Sequence, residues 1–179
     1  MRALNKVFEI RTYYMVLQQK LEKADVLNDE IKQASLDLWE KINELEKDRI
    51  SLDWIKYGMY MRQGNDLKVI ELMQRNKEIK KALESDSIHL MDLYEESGIE
   101  WVVSWGTNVE LKNRHIRYFN AAQNYVWIGN KDAALDYLEK AFESRELLMP
   151  LIKYDLDFEV LRTEPRFIAL LKKMNLGGY

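Results

Sequence analysis

Small and apolar residues recur at helical spacing through residues 115–148, HIRYFNAAQNYVWIGNKDAALDYLEKAFESRELL. Tyr118, Ala121, Ala122 and Tyr125 fall on one face of a first helix, and Ala134, Leu138 and Ala141 on one face of a second. Gly129-Asn130 separates them as a turn. Alanines on both faces allow close approach of two antiparallel helices, each about four turns long, with aromatics filling the space beside them. A similar pattern lies upstream. Trp54, Tyr57, Gly58 and Met61 share a face, Gly64-Asn65 breaks it, and Val69 and Met73 follow where a second helix meets the first. Between these units the spacing predicts a helix over 77–96, with residues 85–87 as a potential break and Gly98 as its end. The run 99–105, IEWVVSW, fits a short buried strand or a short buried helix. A helical neighbourhood favours helix.

The offsets from Tyr118 through Ala141 resemble a tetratricopeptide repeat, a helix-turn-helix unit of about 34 residues with a W-x2-L-G-x2-Y…A-x3-F pattern. Trp54-x2-Tyr57-Gly58-x2-Met61 is similar to the first half of that pattern. Tyr118 stands for the usual Trp, Ala121-Ala122 for Leu-Gly, and Leu138 for Phe. The family's closing Pro would fall at Glu146, whereas this chain has Pro150. The two Gly-Asn turns lie about two repeat lengths apart, which implies a degenerate unit over roughly 83–114. The resemblance implies an all-α fold, a right-handed α-solenoid of antiparallel helix pairs. A second resemblance covers the C-terminus. DLDFEVLRTEPRF, from Asp155 to Phe167, runs into LLKKMNL and is similar to the tail that closes many bacterial tetratricopeptide proteins. Similar tails end some cyclases and kinases. Here Thr163 is the expected cap of a helix with Pro165 at its second position. Phe167, Leu170, Leu171 and Met174 form its apolar stripe, and Arg166, Lys172 and Lys173 its wet side.

At the N-terminus, Val7, Ile10, Tyr14, Leu17 and Leu21 recur about every 3.5 residues, as do Ile31, Leu38, Ile42 and Leu45. Two long amphipathic helices joined near 25–28 follow, as an antiparallel hairpin or, alternatively, a coiled-coil dimer. The expected layout is one helical-repeat domain over 1–179. The hairpin occupies 1–48, the repeat-like units 50–148 and the cap 149–179.

Composition changes this picture little. With 47% hydrophobic and 32% charged residues the 179-residue chain has the balance of a folded domain. A net charge of −3 argues against broad nucleic-acid binding. No apolar run approaches a membrane span. The charged start lacks the apolar core of a leader, so the expected compartment is the cytoplasm, or the periplasm if a signal has been removed. Zero cysteines exclude disulfides and thiolate chemistry.

Candidate chemistry is sparse. His89 and His115 lie on different units without a ligand partner one turn away. Glu95, Glu96, Glu100, Asp155 and Asp157 are paired acids, expected on solvated faces. Trp101, Trp105, Trp127 and Tyr125 read first as core, with an aromatic small-molecule pocket as the sharper alternative. No phosphate loop or nucleophile elbow is present. We therefore expect no enzyme activity, metal or cofactor. The expected function is a protein-interaction scaffold that holds a peptide or partner helix. A regulatory segment of a larger signalling enzyme is the other class. By the resemblance, the groove-facing positions are Ile116, Phe119, Asn120, Gln123, Val126 and Trp127 in the later unit. In the earlier unit they are Leu52, Ile55, Lys56, Met59, Arg62 and Gln63. Of these, Lys56, Met59, Arg62, Asn120, Gln123 and Trp127 form the candidate partner site, with the two cations favouring an acidic partner. The carboxylate clamp of chaperone-tail binders is absent, since Phe119 and Ile55 stand in its place.

Overall fold

The computed structural model describes residues 53–113 and 116–176. The chain divides into two compact units, Met1–Lys56 and Tyr57–Tyr179. The expected hairpin over 1–48, and His115, lie outside the described residues. Every regular element among the described residues is helical. In order these are α1 (Asp53–Arg62), α2 (Asp66–Arg75), α3 (Lys77–Asp86), α4 (Leu90–Lys112), α5 (Tyr118–Trp127) and α6 (Lys131–Glu143). Two 3-10 segments, Met149–Leu151 and Leu156–Leu161, then lead to α7 (Pro165–Lys173).

The two Gly-Asn turns share one hydrogen-bond scheme. After α1, the Asn65 N–H donates to the Tyr60 carbonyl at 2.9 Å and the Gly64 N–H to that of Met61 at 3.2 Å. After α5, the Asn130 N–H donates to the Tyr125 carbonyl and the Gly129 N–H to that of Val126, both at 2.9 Å. This six-to-one and five-to-two pairing closes a helix end and needs a left-handed residue at the glycine. Gly64 and Gly129 have φ of 63° and 76°, and nothing stands within 4 Å of a Cβ built on either. Backbone conformation rather than space therefore selects glycine there. Each asparagine then starts the next helix, its side chain accepting from the Lys68 N–H at 3.4 Å and the Ala133 N–H at 3.0 Å.

The helices α5 and α6 run antiparallel. The Gly-Asn turn joins the end of α5 to the start of α6, while residues just beyond α6 return to the start of α5. Ala121, Ala122, Ala134, Leu138 and Ala141 are all fully buried between them and their neighbours. The first helix has 10 residues, nearer three turns than the expected four, and the second has 13, close to four. Glu146, at the place of the family's proline, has a task of its own. Its carboxylate accepts from the Tyr118 N–H at 2.8 Å and the Phe119 N–H at 3.0 Å, and so caps α5 from 28 residues away. Arg117, the residue before that helix, makes no side-chain cap. The negative charge also suits the helix N-terminus.

The helix expected over 77–96 is two helices. Ser87, with φ of 53°, ends α3. Gly98, with φ of 76° and ψ of 176°, breaks the helix at a kink as expected, and a second helical stretch of α4 runs from there through 99–105 to Lys112. The ambiguous run is thus helix. Two apolar cores result. One joins Val69, Ile70, Met73, Ile79, Leu90, Val102 and Val103. The other gathers Phe119, Leu138, Ile152, Phe158, Leu161, Phe167 and Leu170 from α5, α6 and the C-terminal segment. Ile128 packs against both cores. A buried hydrogen bond from Asn124 to the Thr107 hydroxyl, 3.0 Å, ties α5 to α4.

Two details of the C-terminal helix differ from expectation. Glu164, not Thr163, precedes α7, and Pro165 is its first residue. Arg166 does not simply face water. It donates to both carboxylate oxygens of Glu139, at 3.1 and 2.9 Å, and to Asp136 at 2.6 Å. Those hydrogen bonds hold its guanidinium well above its ordinary pKa, and the fork of donors matches the carboxylate plane.

Candidate functional site

On α5, Asn120, Gln123 and Trp127 are spaced at i, i+3 and i+7 and therefore share a helix face. The segment Leu156–Leu161 packs against that helix. Its start is built by Asp155, whose carboxylate accepts from the Asp157 N–H at 3.1 Å and caps the short 3-10 turn. Phe158 and Leu161 enter the core with no exposed surface. Phe158 meets the Phe119 ring edge-on, centroids 5.3 Å apart, and the Phe167 ring at 6.5 Å. That anchoring aims Asp157 at α5.

Asp157 is the convergence point. Its Oδ1 accepts from Trp127 Nε1 at 2.8 Å and from an Arg62 guanidinium N–H of α1. Its Oδ2 accepts from Gln123 Nε2 at 2.8 Å, and the same amide lies 3.3 Å from Asp155 Oδ2. Asp157 is only 5% exposed and Asp155 only 3%. Taking such groups out of water requires paired charge and hydrogen bonds, which this cluster supplies. The expectation of a solvated acidic face is corrected for these two residues. It does hold for Glu95, Glu96 and Glu100, which are exposed.

Three of the six candidate groove residues, Arg62, Gln123 and Trp127, thus meet on one carboxylate of the chain's own C-terminal segment. Asn120 lies one turn before Gln123, and its Oδ1 is buried without a hydrogen-bond donor. Met59 is buried at 6% exposure. Lys56 is also buried and belongs to the first unit. Of the other groove-facing positions, Phe119 is fully buried and Val126 packs against the same core. The ring of Tyr57 lies 5.8 Å from that of Trp127. Burial, followed by the nearby charge of Glu110, pushes the Tyr57 phenol far above its ordinary pKa and keeps it neutral.

The sequence missed Asp157 as a member of this site. Its signal was available: an acid two residues after a capping Asp and directly before a core Phe is held by its neighbours against the core. The tryptophans do not form a common pocket. Trp101 is 44% exposed, Trp105 packs against the α2–α4 core, and Trp127 serves Asp157. His89 is an exposed residue at the start of α4 with no side-chain cap. Among the described residues no grouping of three His, Asp or Glu is placed to hold a metal ion. No helix among them is long and apolar enough to cross a membrane. Comparison with known protein families, characterised proteins and solved structures finds no match for the chain.

Proposed function

We propose that this protein is a non-catalytic interaction scaffold, a tetratricopeptide-like right-handed α-solenoid that binds an acidic segment of a partner protein. The observation that carries the reading is the convergence of Arg62, Gln123 and Trp127 on one carboxylate. These residues come from the first helices of the two repeat-like units, 61 positions apart at the nearest pair by the numbering of Arg62 and Gln123. Equivalent faces of successive first helices line one surface in a solenoid. There a guanidinium, an amide and an indole N–H hold the chain's own Asp157, a donor set suited to carboxylate recognition, and a partner's acid would take the place of the Asp157 side chain. The recurring Gly-Asn turn scheme supports the repeat reading, since both units close and restart their helices with the same bonds.

The test is affinity capture from the native host followed by binding of the purified partner to the purified chain. The expected complex weakens steeply as salt is raised, because acidic complementarity across an exposed rim is screened. A partner whose binding is indifferent to salt would reject the acidic-segment reading. Capture of no specific protein would reject the scaffold reading.

A further inference from the structure

We propose that the C-terminal segment 146–176 exchanges between two copies of this chain, so that each copy's Asp157 completes the other's site. One short hinge joins this segment to α6. Across the seam beyond the hinge, every named polar contact pairs the segment with the body of the unit. Glu146 caps α5, Asp157 accepts from Arg62, Gln123 and Trp127, Glu164 accepts from Lys131 at 2.9 Å, and Arg166 donates to Asp136 and Glu139. Phe158, Leu161, Phe167, Leu170 and Leu171 are each at most 3% exposed. A partner of different sequence that displaced the segment would forfeit all of that burial. A second copy restores every contact across the seam, because an exchanged element docks on an identical surface, and only the turn bonds of the hinge itself are given up.

The hinge has a reason to open. Arg145 closes α6 with the turn scheme that Gly64 and Gly129 use elsewhere. The Glu146 N–H donates to the Ala141 carbonyl and the Arg145 N–H to that of Phe142, both at 3.0 Å. At Arg145, φ is 53°, a left-handed conformation that a side chain disfavours. Extending the hinge releases this strain in both copies, and short strained hinges favour exchange. Leu147, 78% exposed beside the hinge, is an apolar side chain that a second hinge alongside would cover. The exchange and the acidic-partner reading draw on the same donors, Arg62, Gln123 and Trp127, but they are tested separately. Exchange without any partner, or a partner bound by chains that never exchange, separates the two.

Complementation between full-length variants tests it. Arg62→Asp and Asp157→Arg each place like charges together within one chain. When the two are unfolded and refolded together, exchange forms one native Arg62–Asp157 contact and one reversed pair in a mixed dimer. The expected result is a species of twice the protomer mass that contains both variants, seen by sedimentation and mass spectrometry. A mixture with no mixed dimer overturns the proposal if both variants fold alone. If either does not fold, the hinge decides. Wild-type chains carrying two different tags are co-refolded, with and without Arg145→Gly. A mixed wild-type dimer whose association constant falls about tenfold in Arg145→Gly supports exchange. A wild-type chain that stays monomeric, or a dimer indifferent to Arg145→Gly, overturns it.

Discussion

Replacing Asp157 with alanine removes the acceptor on which Arg62, Gln123 and Trp127 converge. The carboxylate is 5% exposed, so its bonds are made in a setting where unmet donors are expensive. Truncating one partner of a buried charge pair costs about 3–5 kcal/mol when the other charge is left buried. The Arg62 side chain retains 29% exposure and can recover some hydration, which places the expectation at about 3 kcal/mol, the low end of that range. The indole and amide N–H groups contribute through the loss of their hydrogen bonds. For a unit of this size, each kcal/mol moves the melting temperature by about 2–4 °C, so the drop should be roughly 10 °C. Thermal unfolding by circular dichroism measures it. Asp157→Asn keeps the shape and should lose about half as much, roughly 1–2 kcal/mol. A double-mutant cycle with Arg62→Ala should show coupling of about 1–2 kcal/mol. An Asp157→Ala melting point within a degree or so of wild type would refute the claim that this carboxylate holds the segment to α5.

Two further outcomes follow from named contacts. Tyr57 is kept neutral by burial and by Glu110, so its folded pKa lies above the unfolded value of about 10. Its contribution is therefore complete below that value and is lost as pH rises beyond it, because the unfolded chain ionises first. Tyr57→Phe should make unfolding less sensitive to alkali, read as tyrosinate absorbance against circular dichroism; equal alkaline sensitivity in both proteins would contradict it. Glu146→Ala removes the distant cap of α5 and should cost about 1 kcal/mol, the usual worth of a helix cap. Glu146→Gln keeps an acceptor and should recover part of that loss in urea unfolding, whereas identical losses would mean that the carboxylate does not act as a cap.

Local chemistry explains how much was legible without coordinates. Helix periodicity, the Gly-Asn turns and the buried alanines are written in short-range order, since a left-handed turn needs glycine and a close helix contact needs small side chains. So Gly64, Gly129, Ala122 and Ala134 could be read one window at a time. The break at Ser87 was legible only as a potential one, because serine is an uncommon left-handed residue. The candidate site divides along the same line. The family resemblance placed Gln123, Trp127 and Arg62 on one groove face, with Arg62 and Lys56 as carboxylate binders, Gln123 for a peptide backbone and Trp127 as an apolar anchor. Their acceptor lies 30 residues from Trp127 and 95 from Arg62. No periodicity links such distances. Asp155 and Asp157 read as solvated acids because an acid's burial depends on what folds over it, and Phe158 and Leu161 pull this segment onto α5 only once the core exists. Glu146 likewise gains its meaning from the distant end of another helix. Short-range order along the chain thus carries the turns and the small helix faces, whereas which charges are buried follows from long-range packing, which alone removes their water.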